Sequence, residues 1–267
     1  MVDQLPNLGR EKEMLEAMGM SSMDDLFADI PEAVRMNGEL PLRGPQSEEE
    51  IIADARRILG ANVALGDRVN FLGAGLNRNY VPASVFQLIT RGEFLTSYTP
   101  YQPEVSQGML QAMWEFQTLI SELVCLEVAN LSVYDGSTAA AEAITCAVRV
   151  HNRKATQKDT IYISELLPPA RISVIENYTQ GGGVILKTLR HNSDGTLNLE
   201  SLSEAAGSCG IYVEQPNPLG VLDGGLTRVK EIIGESTAFI VGVSPVSLGL
   251  IEAPGNYGAD IVVGEGQ

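Results

Sequence analysis

Hydrophobic positions in the second half of the chain occur as short runs separated by segments of helical periodicity. A short apolar or β-branched run indicates a strand, whereas apolar residues spaced three or four apart indicate a helix. Strands that alternate with helices predict a mostly parallel sheet covered on both faces, and therefore an α/β fold. The predicted strands are 129–133, 160–163, 184–188, 210–213, 238–243 and 260–263, and the predicted helices between them are 137–150, 168–179, 198–206 and 225–234.

A longer helix is predicted ahead of this alternation, over residues 106–126. Apolar side chains recur there at helical spacing for about five turns. The one tryptophan of the chain, Trp114, joins the same apolar face, so we expect a core helix. The cysteines Cys125, Cys146 and Cys209 are scattered, and we expect them to be buried thiols.

Residues 1–62 have a different pattern, with short amphipathic helices joined by a connector that contains proline and glycine. Ser47 precedes three acidic residues and is expected to cap a helix over 48–59. Such a set of helices is too small for a core of its own, so we expect it to pack on the larger body or on a partner. The predicted domains are a helical N-terminal arm over 1–62 and a large domain over 63–267.

The overall charge narrows the range of partners. The chain of 267 residues has a formal net charge of −16, and such a surface repels nucleic acid and anionic membranes. No apolar stretch approaches the roughly 20 residues of a membrane span, and no N-terminal signal pattern is visible. The cysteine pattern suits a reducing compartment, and two histidines make a metal site unexpected. We therefore expect a cytoplasmic protein without a metal, nucleic-acid or membrane partner.

A loop ahead of the long helix is the first candidate for function. The segment 98–104, YTPYQPE, places tyrosine, amide and acidic side chains around two prolines, which restrict the backbone. Loops often carry binding and catalytic residues, so this is either a functional loop held by a scaffold or a well-packed surface loop. The candidates for lining a site are Tyr98, Tyr101, Gln102, Glu104 and Gln107.

A second candidate is the start of the helix that begins near residue 136. The sequence Asp135-Gly136-Ser137-Thr138 follows a predicted strand, and the N–H groups at a helix N-terminus attract anions. Ordinary N-capping by Asp135, Ser137 or Thr138 explains the same residues. Both interpretations stay open.

Longer motifs resemble one family across nearly the whole chain. They include YTPYQPE followed by SQG, then DGSTAAAEA, VEQPNPLGVLD and the terminal GADIVVGEGQ. These motifs resemble the P-protein family of the glycine cleavage system, the glycine dehydrogenases (decarboxylating), and in particular subunit 1 of the two-subunit form. In that family the sequence continues through the rest of the sheet and a smaller C-terminal domain. We therefore expect a truncated chain that lacks this domain and has an exposed sheet edge.

The resemblance implies a fold, a reaction and partners. The fold is that of type I enzymes that use pyridoxal phosphate (PLP), and a lysine of subunit 2 holds the PLP. Glycine loses its carboxylate as carbon dioxide, and the remaining aminomethyl group passes to the lipoyl group of H-protein. Subunit 1 borders the active site and has no catalytic residue of its own. Ser137 and Thr138 then mark a vestigial phosphate site.

The positions of the lysines favour a subunit that does not anchor PLP. PLP needs a Schiff-base lysine and, in this fold, an acidic partner for its ring nitrogen. The last predicted strand leads into residues 264–267, Gly-Glu-Gly-Gln, without a lysine, and strand 238–243 leads into Ser244 rather than an acid. The lysines lie elsewhere, at Lys12, Lys154, Lys158, Lys187 and Lys230. The alternatives are a self-sufficient PLP-dependent aminotransferase or decarboxylase, and a purely structural or regulatory subunit.

Overall fold

The structure is a computed structural model of the 267-residue chain. It describes residues 7–36, 38, 40–64, 66, 68–71, 73, 79–95, 99–154 and 159–266. The chain divides into two compact units, Met1–Val69 and Asn70–Gln267. The first unit is helical, and the second contains a five-stranded sheet.

The first unit consists of short helices without a buried core. Its described elements include α1 (Glu11–Ala17), the 3-10 turns Met23–Phe27 and Glu32–Val34, and α2 (Glu48–Leu59). As expected, Ser47 caps α2, since its hydroxyl accepts the N–H of Glu50 while the Glu50 carboxylate accepts the N–H of Ser47 at 2.8 Å. None of the residues described between 7 and 69 is buried.

The second unit has helices on both faces of a parallel sheet. Its α-helices in the described residues are α3 (Ala83–Ile89), α4 (Gly92–Leu95), α5 (Gln107–Val124), α6 (Gly136–Lys154), α7 (Pro169–Gln180) and α8 (Val229–Ile233). Its strands are β1 (Thr160–Ser164), β2 (Ile185–Leu189), β3 (Gly210–Gln215), β4 (Ala238–Val243) and β5 (Ile261–Gly264). They lie in the order β2-β1-β3-β4-β5, and each of these pairings is parallel. The predicted α/β fold with a mostly parallel sheet is confirmed.

Five of the six predicted strands are present, and the predicted strand at 129–133 is wrong. That segment is irregular and connects α5 to α6, and the carbonyl of Ala129 accepts a hydrogen bond from the Gln117 side chain at 2.7 Å. The helices predicted at 198–206 and 225–234 are shorter than expected. The first is a 3-10 turn, and the second is a 3-10 turn followed by α8. The 3-10 turns of this unit lie at Pro103–Val105, Ser201–Ala205, Gly224–Arg228, Pro245–Gly249 and Pro254–Tyr257.

Alternate residues of the strands point to opposite faces of the sheet and build a core on each face. One face packs against α8 and the turn at Ser201–Ala205 through Tyr162, Ile211, Val213, Phe239 and Val241. The other face packs against α6 and α7 through Ile161, Ile163, Tyr212 and Ile240. Helices therefore cover both faces of the sheet, which explains why its inner strands β1, β3 and β4 are mostly apolar.

Helix α6 is buried along its inner face, whereas α5 is largely exposed. In α6, Ala140 and Ile144 have 0% exposure. In α5, Val124 is the buried residue, and Trp114 and Leu119 are 73% and 67% exposed. The prediction that α5 is a core helix is therefore wrong within the described residues, because other elements already cover both faces of the sheet. Among the described helices, α5 included, none is both long and apolar enough to cross a membrane.

The prediction of buried thiols is confirmed for Cys209 and wrong for Cys125 and Cys146, which are exposed. Cys146 lies two residues after the buried Ile144, and two helical steps of about 100° each turn its side chain to the outer face of α6. Cys125 follows the last turn of α5 in the left-handed conformation, with a φ of 56°.

Candidate functional site

Helix α6 begins at the carboxyl edge of the sheet, where the parallel strands end. Strand β5 ends at Gly264, and the next residue, Glu265, contacts the first turn of α6. The Oε1 atom of Glu265 accepts the N–H of Gly136 at 3.2 Å. Ligands of open α/β sheets bind at this edge, so the side chains around the α6 N-terminus form the first candidate site.

The N-terminus of α6 is capped by Asp135. Its Oδ1 atom accepts the N–H of Thr138 at 2.7 Å, and its carbonyl accepts the N–H of Ala139 at 2.8 Å. The backbone N–H of Thr138, followed by the Thr138 side chain, holds the pKa of Asp135 below its ordinary value. Ser137 is half-buried and Thr138 is buried. The structure therefore contains the N-cap that the sequence allowed, and Asp135 provides it.

Gly136 allows the Glu265 side chain to reach the helix. A Cβ atom built on Gly136 would lie 2.8 Å from both the Cγ and the Oε1 atoms of Glu265. Carbon atoms in favourable contact are about 3.5–4.0 Å apart. A larger residue at position 136 would therefore displace the Glu265 side chain or the start of the helix.

An ionic cluster lies on the sheet face that α6 and α7 cover. Tyr212 and Glu214 are alternate residues of β3 and share this face, while Arg171 lies in the first turn of α7. The Tyr212 hydroxyl donates to Oε1 of Glu214 at 2.9 Å. The Arg171 Nε atom lies 3.0 Å from the same oxygen, an ion pair whose N–H is not aligned for a hydrogen bond. The cluster is shielded from water, since the ion-paired side chains are only 20% and 14% exposed.

Burial and charge together set the pKa values in this cluster. Burial raises the pKa of Tyr212 well above its ordinary value, and the carboxylate of Glu214 adds to that shift. Burial lowers the pKa of Arg171, but Tyr212 and Glu214, followed by Glu265, outweigh that effect and raise it. The cluster therefore holds a neutral phenol and a charged guanidinium at neutral pH. The charge of Arg171 also links it to the α6 N-terminus through Glu265.

A hydroxyl, an imidazole and a carboxylate meet at the ends of β1 and β2. The Ser164 Oγ atom lies 3.3 Å from Nε2 of His191, and Nδ1 of His191 lies 3.7 Å from Oε1 of Glu165. The second distance is too long for a hydrogen bond, and the same oxygen accepts the backbone N–H of His191 at 2.6 Å. Burial lowers the pKa of His191, and Ser164 is only 2% exposed. The arrangement joins two strand ends and does not form a hydrolytic triad.

The loop singled out from the sequence lies immediately before α5, and its described candidates are exposed. Tyr98 lies outside the described residues. Tyr101 is 84% exposed, and Gln102 and Glu104 are exposed as well. The exposed Gln107 side chain donates to the backbone carbonyl of Glu104 at 3.2 Å. This bond ties the loop to the first turn of α5.

Helix α5 extends from this loop to the carboxyl edge of the sheet. It packs against the turn at Pro245–Gly249, which follows β4. A Cβ atom built on Gly266 would lie 3.9 Å from Cζ of Phe116. Gln107, the first residue of α5 after the loop, lies about 14 Å along the helix from Phe116, at 1.5 Å per residue. The middle of α5 and the α6 N-terminus therefore lie at the same edge of the sheet, and the loop lies beyond the amino end of α5.

Sequence reasoning missed the Arg171, Tyr212 and Glu214 cluster and the contact between Glu265 and Gly136. One signal for the cluster is present in the sequence, because Tyr212 and Glu214 are two polar side chains spaced two apart in a strand that is mostly apolar. No local signal links Glu265 to Gly136, since 129 residues separate them.

Comparison with known sequences identifies one family. The sequence profile described as glycine cleavage system P-protein matches residues 6–267. A relative from Pyrococcus abyssi (strain GE5 / Orsay), named probable glycine dehydrogenase (decarboxylating) subunit 1, is 46% identical over 98% of this chain. A relative of the same name from Bacillus cytotoxicus is 41% identical over 96% of this chain. The chain spans 58% and 57% of the lengths of these two relatives.

Comparison with solved structures agrees. The crystal structure of glycine decarboxylase (P-protein) of the glycine cleavage system, in inhibitor-bound form, matches with a TM-score of 0.78 and 39% identity. That match covers 100% of this chain and 59% of the solved one. Glutamate decarboxylase of Lactobacillus brevis shares the fold alone, with a TM-score of 0.58 and 13% identity over 83% of this chain and 53% of its own. The fold is that of type I PLP-dependent enzymes, and the chain belongs to the glycine cleavage system P-protein family.

Proposed function

We propose that this chain is one part of a glycine dehydrogenase (decarboxylating) and completes the active site of a partner subunit that holds PLP. The observation that carries the proposal is the family match over residues 6–267. The relatives named as subunit 1 support the existence of a partner. The complete enzyme would decarboxylate glycine and transfer the aminomethyl group to the lipoyl group of H-protein.

The α6 N-terminus does not fit the phosphate group of PLP. Its Gly136 N–H is bonded to Glu265, and its Thr138 N–H is bonded to Asp135. Backbone amides of this kind hold a phosphate when a helix N-terminus binds one. Because the chain's own carboxylates occupy them, these contacts support a PLP that is held on the partner subunit.

The residues that follow two of the strands also support this assignment. Strand β4 is followed by Ser244, and residues 265–267, which follow β5, contain no lysine. Two lysines of the second unit are engaged elsewhere. Lys230 Nζ donates to Oδ2 of Asp260 at 2.6 Å, and Lys187 Nζ lies 5.5 Å from the ring centroid of Tyr162. Both observations support a subunit that does not anchor the cofactor.

The loop before α5 is the part of this chain that we assign to the active site. When bound to the partner subunit, PLP supplies the electron sink for the loss of the glycine carboxylate. In this proposal the tyrosine and glutamine side chains donate hydrogen bonds to the substrate carboxylate or to the edge of the cofactor. Glu104 orients a base or steers the lipoyl arm of H-protein. The proposed lining residues are Tyr98, Tyr101, Gln102, Glu104 and Gln107.

Substitution of the loop tyrosines tests this assignment. Tyr98→Phe and Tyr101→Phe keep the rings and remove the hydroxyl donors. In the enzyme reconstituted with its PLP-binding subunit and lipoylated H-protein, each should slow glycine decarboxylation by roughly 10-fold to 100-fold, as expected for a lost hydrogen bond to a charged group. Tyr134→Phe, at a tyrosine that is 96% exposed, is the control and should change nothing. Unchanged rates in both loop variants would remove the loop from the active site.

Exposure of the chain alone to PLP tests the cofactor assignment. The purified chain is mixed with PLP, reduced with borohydride and analysed by mass spectrometry. No stoichiometric lysine adduct should form on these 267 residues, because residues 265–267, directly after β5, include no lysine. A one-to-one adduct at a single lysine would contradict the proposal and favour a self-sufficient PLP enzyme.

A further inference from the structure

We propose that Glu265 is a built-in anion that closes the α6 N-terminus to phosphate groups and so keeps PLP and other phosphate esters off this chain. This inference rests on the proposed function in one respect, since it gives a physical cause for a subunit that does not anchor PLP. Its test uses inorganic phosphate, so its outcome is separate from that of the PLP experiment.

The backbone N–H groups in the first turn of α6 already donate hydrogen bonds to carboxylates of this chain. Gly136 donates to Oε1 of Glu265 at 3.2 Å, and Thr138 donates to Oδ1 of Asp135 at 2.7 Å. The N–H of Ser137 contributes to the lowered pKa of Asp135, so it too is directed at that carboxylate. The side chain of Thr138 also donates to Asp135. The donors that would otherwise face an external anion therefore face Asp135 and Glu265.

The Glu265 side chain fills the space next to the helix rather than approaching it from a distance. The close approach of its Cγ and Oε1 atoms to the Cα side of Gly136 leaves no room for a Cβ there. A phosphate oxygen that bonded to the N–H of Gly136 would need the same volume. Binding would therefore require the Glu265 side chain to move away.

The charge around the helix also opposes a second anion. The carboxylates of Asp135, Glu214 and Glu265 all act on Arg171, the cation that the structure places in this cluster. The guanidinium is ion-paired with Glu214 at 3.0 Å. A phosphate dianion would therefore meet like charges in a partly shielded region, where such repulsion is stronger than in water. Removal of Glu265 takes away both the occupant and one of these charges.

Phosphate titration of matched variants tests the proposal. Binding of inorganic phosphate to the full 267-residue chain is followed by 31P NMR for the wild-type protein, Glu265→Ala and Glu265→Gln. Glu252→Ala is the control, because Glu252 is exposed in the loop ahead of β5 and its loss removes the same charge. We expect Glu265→Ala to bind phosphate roughly 10-fold more tightly than the wild-type chain or the control, as the vacated helix terminus becomes available. Glu265→Gln should show a smaller gain, because the amide oxygen keeps the contact with Gly136.

The outcomes separate the proposal from simpler explanations. Circular dichroism establishes that each variant is folded, and the glutamine variant decides the question if the alanine variant is not. Equal phosphate binding by the wild-type and Glu265 variants overturns the proposal, whether that binding is tight or undetectable. An equal gain in Glu252→Ala also overturns it, because net charge alone then explains the effect. A lysine adduct of PLP on the wild-type chain contradicts the proposed function instead, and the phosphate comparison still decides the role of Glu265.

Discussion

Helices α5 and α6 have nearly the same length, 18 and 19 residues, and both have an apolar stripe, yet they lie in opposite environments. Helix α6 covers the sheet through Ala140 and Ile144, which have 0% exposure. Helix α5 leaves Trp114 and Leu119 mostly exposed. The difference shows that an apolar stripe predicts which face of a helix is available for packing, but it does not predict which element packs against that face.

The two helices are also anchored differently. Helix α6 lies close to the sheet because its inner face is rich in alanine, including Ala140 and Ala147. Helix α5 is held at its carboxyl end, where Gly255 packs directly against the backbone. A Cβ atom on Gly255 would overlap the carbonyl oxygen of Cys125. One helix is therefore part of the core, and the other is fixed at one end and presents its outer stripe.

The strongest test of this comparison substitutes one apolar residue in each helix. Ile144→Ala removes a fully buried side chain and should lower the free energy of unfolding by about 2–5 kcal/mol. Leu119→Ala, its matched control in α5, should change it by less than about 0.5 kcal/mol because the side chain is exposed. Urea unfolding followed by far-UV circular dichroism measures both. Equal losses would mean that the α5 stripe is buried in solution.

A second test disturbs the anchor of α5. Gly255→Ala places a methyl group against the backbone of Cys125 and should lower the free energy of unfolding by about 1–3 kcal/mol, as overpacking does. Gly249→Ala is the control, since a Cβ there meets nothing within 4 Å. Urea unfolding again gives the values. If the two alanine variants match, α5 is not held at Gly255.

The smallest expected effect concerns the N-termini of the two helices. Asp135 caps α6, whereas Ser106 makes no side-chain cap on α5. At neutral pH, Asp135→Ala should lower the free energy of unfolding by about 0.5–2 kcal/mol. Ser106→Ala should have little effect.

The effect of Asp135 should also depend on pH. Because the Thr138 N–H lowers the pKa of Asp135 in the folded chain, its contribution is complete above the ordinary aspartate pKa of about 4. It is lost as the pH falls through the lowered pKa of the folded state. Unfolding of the wild type and Asp135→Ala at a series of pH values measures the difference. A difference that stays constant into strong acid would rule out the charged cap.

Features that depend on neighbouring residues were predictable from the sequence, and features that depend on the order of strands were not. The strands β1 to β5 were found because each is an apolar run between turns or helices. The cap at Ser47 was found because Glu50, its reciprocal partner, lies only three residues away. The contact of Glu265 with Gly136 was missed because it exists only once β5 lies beside the start of α6. The strand predicted at 129–133 is wrong because its alternation of apolar and polar residues, Ala-Asn-Leu-Ser-Val, also suits a connector between two helices.

The exposed Trp114 is an intrinsic fluorescent probe of the α5 surface. It is the only tryptophan of the sequence. It lines a surface cavity on α5 together with Leu110, Gln111, Glu115, Thr118 and Leu119. Indole emission moves to shorter wavelength when water around the ring is replaced by protein. The intrinsic fluorescence of the unlabelled chain therefore reports on a single patch of its surface. Titration with any candidate partner shows directly whether that partner covers α5.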